Sequence, residues 1–327
     1  RRLGSDRAVV AAGTGLLALG CALTAGAGSF EVAAAGRLLT GIGATIANIY
    51  FAKMAIDWFD QRRLPLAMGV LVTSWPLGIA LGRMAQAAIA ASGGWRATSA
   101  VATAACLAAT LLMLAVYRES PGRRAPPALG LAALRALSPT EWQGALLACL
   151  IWTALNIGLV VVFGFGPALL NERGLDLASA GRLVALGTWI GILAIPLGGA
   201  AATRWRAGPA IITTGLALSA LVYVLIGRAP ELVWLHVAFG VTAFVAAGPI
   251  MALPGEVLRP ANRAVGMGVF YTGYYVGLTV APPVAGWLYD HVGRSAPFDL
   301  AAFLMLAALG ASLAFARLVR AQAAAAS

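Results

Sequence analysis

Charge is what this chain has least of. Charged residues make up 11% of its 327 positions and apolar residues 61%, where soluble globular domains run at about 25% and 45–50%. A water-facing globule of this composition is excluded. Histidine occurs twice and cysteine three times, and neither clusters with acids at metal-ligand spacing, so no metal or cofactor is expected. There is no phosphate-binding glycine loop, no dinucleotide fingerprint and no nucleophile–base pairing. An ATP-driven pump is excluded on that ground. A membrane enzyme acting on lipid-linked substrates would need inward acids or histidines gathered near one interface, and the sequence offers none. The chain also lacks a signal peptide and an initiator methionine, opening on Arg1-Arg2-Leu3-Gly4. That is not expected to be a native start.

What is present is a series of long apolar runs. About 20 such residues cross a bilayer as a helix. By that measure the sequence predicts ten spans: 8–27, 32–54, 66–91, 98–117, 144–170, 180–202, 209–226, 232–253, 264–288 and 300–316. Runs this long and continuous exclude the alternating ten-residue strands of a membrane barrel. Glycine supplies 39 residues, as expected where helices pack closely in lipid. Cys21, Cys106 and Cys149 all fall inside spans and read as small apolar packers.

The net charge of +11 does not mark a nucleic-acid surface. With the first loop placed in the cytoplasm and sides alternating, sixteen basic residues fall on cytoplasmic segments, five on outer segments, and two, Arg37 and Arg83, inside spans. Acids divide evenly and carry no signal. The basic excess is the positive-inside rule, and it puts both observed ends in the cytoplasm, as in the inner membrane of a bacterium.

An internal repeat appears at an offset of 199 residues: Met68, Gly69, Val70, Thr73 and Gly78 meet identical residues at 267, 268, 269, 272 and 277. Both segments open a span just after a basic loop. Parallel repeated halves are a transporter device. The polar, proline-rich stretch 118–140 then reads as a cytoplasmic linker between a first bundle, 1–117, and a second, 141–327. It is also expected to be the most mobile internal loop. Six spans follow it and four precede it, so the first half is expected to lack two.

The residues around these spans resemble the major facilitator superfamily. Arg2 and Gly4 match the tail of its cytoplasmic signature G-x-x-x-D-R-x-G-R-R, with Arg1 at the acidic position. In the second half Thr203 stands at that position. Arg37-Leu38-Leu39-Thr40-Gly41-Ile42-Gly43 is similar to the fourth-helix pattern R-x-x-x-G-x-G. Trp75-Pro76-Leu77-Gly78 resembles the fifth-helix G-P-x-x-G, with tryptophan for the first glycine. By the family's count the spans are helices 3 to 12, and the Trp75–Gly78 pattern faintly resembles the cyanate and nitrate/nitrite porter branch. The resemblance implies an all-α bundle of two halves and solute movement by alternating access, with the site between the halves.

Several residues inside spans are candidates for function. Arg37 lies roughly 8 Å and Arg83 roughly 12 Å inside the outer ends of their helices. A charge there is costly, and no acid lies well inside any span. Three readings stand: a structural cation bonded to helix carbonyls or to an acid in the helices expected to be missing, partial snorkelling to the outer face, or capture of an oxyanion by the guanidinium fork. Trp152 and Asn156, four apart, share one helix face, on a helix that lines the cavity in the family. Tyr271 and Tyr275 likewise share a face, with Tyr274 and Thr279 nearby, and read either as helix packing or as substrate contacts. His236 is the one intramembrane histidine; it is a candidate proton carrier or an interfacial hydrogen-bonding group. Gly41, Pro76, Gly78, Gly248, Pro249, Pro282 and Pro283 are candidate bends or gate hinges, with Arg2 and Gly4 as gate residues by resemblance. The expected function is gradient-driven transport of a small solute, preferably an organic or inorganic anion, by a monomer in the lipid bilayer. Drug or sugar export is the alternative, and a non-transporting receptor of the same fold is the rival from another class.

Overall fold

The computed structural model describes residues 5–118, 134–229 and 233–326, without the side chains of 83, 84, 86–88, 90–92, 177, 178, 323, 325 and 326. Among the described residues all regular structure is helical. Ten segments are long and apolar enough to cross a membrane. The helices are α1 (Asp6–Ala25), α2 (Phe30–Trp58), α3 (Leu64–Val116), α4 (Pro139–Glu172), α5 (Leu177–Trp205), α6 (Gly208–Arg228), α7 (Val233–Val245), α8 (Ala247–Val257), α9 (Arg263–His291) and α10 (Ala296–Ala326). α3 carries two spans, Leu64–Gly82 and Gly93–Val116, separated at Gly94, whose backbone (φ 68°, ψ −173°) is open only to glycine without strain. Most of the linker predicted at 118–140 lies outside the described residues, as do Arg2 and Gly4.

The chain forms two compact units, Arg1–Trp58 with Leu77–Ala128, and Phe59–Pro76 with Leu129–Ser327. In the first, α1 and α2 pack backbone to backbone. A Cβ on Gly20 would come within 2.5 Å of the Gly36 carbonyl, and one on Gly43 within 2.5 Å of the Gly13 carbonyl. With no solvophobic drive between helices in lipid, such glycine seams let dispersion hold the pair. At one end the seam is closed by charge: the Lys53 ammonium lies 2.6 Å from both the Asp6 and Asp57 carboxylates. Lys53 and Asp6 are both buried. Arg7 donates to the Leu114 carbonyl, Arg96 to the Ala27 carbonyl at 2.9 Å, and the Thr14 and Thr110 hydroxyls are 2.8 Å apart. These contacts tie the second span of α3 to α1 and to the loop that follows it.

The second unit is built around α4, whose buried face runs nearly its whole length. α4 begins with a capping box, Ser138 and Glu141 each bonding the other's backbone N–H. Glu141, 1% exposed, also accepts from the Arg259 backbone and guanidinium and from Asn262. The loop entering α9 is thereby stapled to the start of α4. The Arg259 guanidinium is held above its ordinary pKa by the Glu141 carboxylate. The first turns of α3 pack by glycine against α5 and α8: a Cβ on Gly199 would meet the Pro65 carbonyl at 2.5 Å, and one on Gly248 would meet Gly69 Cα at 2.9 Å. Arg173 donates to the carbonyls of Ile226, Gly227 and Ala229, supplying the groups that the end of α6 leaves unpaired.

The span predicted at 232–253 is interrupted. α7 stops at Val245 and α8 starts at Ala247. Pro249 has no N–H to give the carbonyl four residues earlier, and its ring crowds that carbonyl. The carbonyl in question is that of Val245, and it is turned onto Gly198 of α5. Pro76, Pro282 and Pro283 instead sit within continuous helix.

Candidate substrate-binding site

In the second unit, α4 and α9 bring the sequence candidates together. Trp152 and Asn156 are one turn apart on α4, both buried. α9 approaches closely because it has glycine where it crosses: Gly273 faces Cys149 Sγ and Gly277 faces the Thr153 side chain. The approach sets Tyr274 beside Trp152, ring centroids 6.1 Å apart. Tyr271 and Tyr275 stack at 6.0 Å, and Tyr274 bridges them at 6.1 and 4.9 Å. Four aromatic rings and one amide thus form a continuous face. Asn156 Nδ2 donates to the Trp152 carbonyl at 2.8 Å, which spends one donor and fixes the amide's direction. The Trp152 indole N–H is buried and has no acceptor among the described residues. A buried donor without a partner costs on the order of 1–3 kcal/mol, so this face has a standing demand for an oxygen acceptor.

Tyr274, which the sequence places only near Tyr271 and Tyr275, is the ring that joins them to Trp152. Two further polar groups escaped notice because a lone serine or tyrosine in an apolar span carries little signal. Ser219 and Tyr223, one turn apart on α6, are buried with hydroxyls that find no partner among the described residues. The Tyr223 hydroxyl lies where a side chain on Gly158 of α4 would be, 2.5 Å from that Cβ position. His236 is 2% exposed inside α7, a core position where interfacial placement was one of the two readings.

In the first unit, Arg37 is an exposed cation on a membrane-spanning helix. It lines an open depression of about 450 Å³ with Leu38, Gly41, Ile42, Thr45 and Ile46, all on one face of α2. No hydrogen bond or ion pair reaches it among the described residues. Among the described residues no carbonyl accepts from Arg37. Gly41 leaves open space beside it. The side chain of Arg83 lies outside the described residues. Gly78 is on an exposed face of α3 and Pro76 is buried.

Thr203, at the position where the resemblance puts an aspartate, has its own task. Its hydroxyl accepts from the Leu66 N–H at 3.2 Å. Leu66 lies in the first turn of α3, whose N–H groups have no acceptor within the helix. A neutral hydroxyl caps this helix.

The family model for the Major Facilitator Superfamily matches residues 1–226 and 161–326. The chain belongs to the Major Facilitator Superfamily, a family of membrane transporters rather than enzymes, and it is an integral, multi-pass membrane protein. The human organic anion transporter MFSD10 (TETRAN) superposes with a TM-score of 0.78 at 20% identity, over 94% of this chain and 77% of that one. The E. coli fucose:proton symporter FucP does so with 0.76 at 14% identity, over 95% and 84%. The proton:xylose symporter XylE bound to 6-bromo-6-deoxy-D-glucose gives 0.73 at 16% identity, over 94% and 79%. At these identities the likeness is one of fold. No curated protein matches the sequence.

Proposed function

We propose that this protein is a gradient-driven carrier of a small anion, moved by alternating access. The observation that carries the reading is Arg37: a guanidinium on a membrane span, beside an open depression, with no protein partner among the described residues. Keeping a cation there is costly, and an oxyanion that accepts two parallel N–H bonds would offset that cost. Arg83 is proposed as the second cation. Trp152, Asn156, Tyr271 and Tyr275 are proposed to contact the uncharged part of the solute, with the Trp152 N–H as an oxygen-seeking donor. The likeness to the human organic anion transporter MFSD10 supports the anionic reading by analogy of fold.

The Ala246 break in front of Gly248 and Pro249 is proposed as a gate hinge, with Gly41, Pro76, Gly78, Pro282 and Pro283 as secondary points of flexure and Arg2 and Gly4 in a cytoplasmic gate. His236, buried inside α7, is the proposed proton carrier. The stretch 118–140 is proposed as a cytoplasmic linker, and the protein as a monomer of a bacterial inner membrane. A second reading, a sugar carrier, is favoured by the aromatic face on α4 and α9, since sugar rings stack on such surfaces, and by the likeness of fold to the fucose and xylose symporters. The deciding experiment is counterflow by the full-length chain in proteoliposomes, with labelled carboxylates, nitrate and cyanate on one arm and hexoses and pentoses on the other. Anion counterflow abolished by Arg37→Gln supports the proposal. Sugar counterflow that survives this substitution supports the second reading.

A further inference from the structure

In the first unit two free cysteines meet. Cys21 is on α1 and Cys106 on the second span of α3, and their thiols are in hydrogen-bonding contact. The contact follows from how the two helices run. They are antiparallel: Thr14 meets Thr110, while Ala27, beyond the end of α1, meets Arg96 near the start of that span. Cys21 lies between Thr14 and Ala27, and Cys106 between Arg96 and Thr110, one turn from the latter. The pair is thus framed by two independent ties. α2 closes the third side, with the Thr40 hydroxyl 4.0 Å from Cys21 Sγ. Thr40 gives its own proton to the Gly36 carbonyl, so its oxygen faces the sulfur as an acceptor. Cys21 is buried and Cys106 half-buried.

Two touching sulfurs suit one kind of ligand best. A disulfide requires them to close to about 2.05 Å, which means moving the helices. A metal–thiolate bond is about 2.3 Å long, so an ion held in line between two sulfurs spans about 4.6 Å, and the helices can stay where they are. Among the described residues no three His, Cys, Asp or Glu side chains gather to hold a metal. A tetrahedral ion such as Zn(II) would find only half its ligands here. Soft ions that are content with two thiolates need no more. Charge narrows the choice. Both cysteines lie inside membrane spans, where uncompensated charge is costly. Two thiolates around Cu(I) or Ag(I) leave one negative charge in the span, whereas around a divalent ion the complex is neutral.

We propose that Cys21 and Cys106 form a two-coordinate site for a soft divalent ion of the Hg(II) type. Each thiol loses its proton as its sulfur bonds the ion. Two protons leave for the two positive charges that enter, and nothing is oxidised or reduced. The bridge ties α1 to the second span of α3. The site is independent of the transported solute.

The test uses native mass spectrometry of the full-length chain in detergent, titrated with mercuric chloride in a large excess of 2-mercaptoethanol. The monothiol strips an ion held by one protein sulfur and leaves one chelated by two. The parent should retain one Hg(II) per chain with no monothiol attached, and Cys149→Ser should do the same. Cys21→Ser and Cys106→Ser should each bind at least about a hundredfold more weakly, the loss expected when the second ligand is no longer on the same chain. Methylmercury, which has one position to offer, should be retained by none of them. Tight retention by either Cys21→Ser or Cys106→Ser, or its loss in a folded Cys149→Ser, overturns the pairing. Absence of retention by the parent, or retention only as a mixed adduct carrying 2-mercaptoethanol, overturns the site outright, whether or not any variant folds.

Discussion

The Val245 carbonyl points at Gly198, so closely that no other residue fits there. The two facts have one cause. Pro249 cannot donate to that carbonyl and pushes it out of the helix, and a residue without a side chain on α5 receives it. Gly198→Ala should therefore destabilise the protein by about 1–3 kcal/mol, the usual range for forcing an extra carbon into a packed position. Pro249→Ala allows the helix bond to form and should relieve part of that cost. The check is a double-mutant cycle on thermal unfolding in detergent. Coupling of at least about 0.5 kcal/mol is expected for residues linked through one carbonyl; strictly additive effects would contradict the link.

Lys53 should behave as a buried anchor. It holds carboxylates from α1 and from its own helix at 2.6 Å, with its side chain 9% exposed. Lys53→Met strands buried negative charge, and breaking such a pair costs roughly 3–5 kcal/mol. The expected outcome is a sharp fall in monodisperse protein on size exclusion. Lys53→Arg, which keeps the charge, should recover part of it.

The α1–α2 seam gives a paired test. Gly20→Leu should separate the helices and abolish folded protein, because the Gly36 backbone occupies the space. Gly15→Leu, with nothing within 4 Å of its Cβ position, should be tolerated. Similar expression of both would argue against close glycine packing.

Glu141 is expected to stabilise the loop before α9. Its carboxylate serves Arg259, Asn262 and the Ser138 backbone, and each buried donor left without it costs on the order of 1–3 kcal/mol. Glu141→Ala should speed amide exchange at 258–263 while leaving α1 and α2 unchanged. Unaltered exchange at that loop would remove the staple.

The ten spans were legible because lipid demands long apolar runs and allows little else, and each predicted span coincides with a helical one. The repeat pointed at Gly69 and the position matters, yet its contact with Gly248 comes from backbone proximity that no pattern encodes. Pro249 suggested a bend; the actual break lies at Ala246, because the strain appears where the carbonyl is displaced rather than where the proline sits. Trp152, Tyr271 and Tyr275 were visible as polar-tipped aromatics on helix faces. That they meet through Gly273 and Gly277 was not, since glycines are frequent in every span.

Arg37 decides the central claim. In the full-length chain, thermal stability in detergent should be measured against benzoate, nitrate, cyanate, fucose and xylose. One of the anions should raise the unfolding temperature and both sugars should leave it unchanged. Arg37→Gln should fold as well as the parent and lose the shift, while Arg37→Lys should keep part of it, having the charge without the planar fork. A shift by sugars alone, or an anion shift equal in the parent and in Arg37→Gln, would contradict an anion carrier built on this residue.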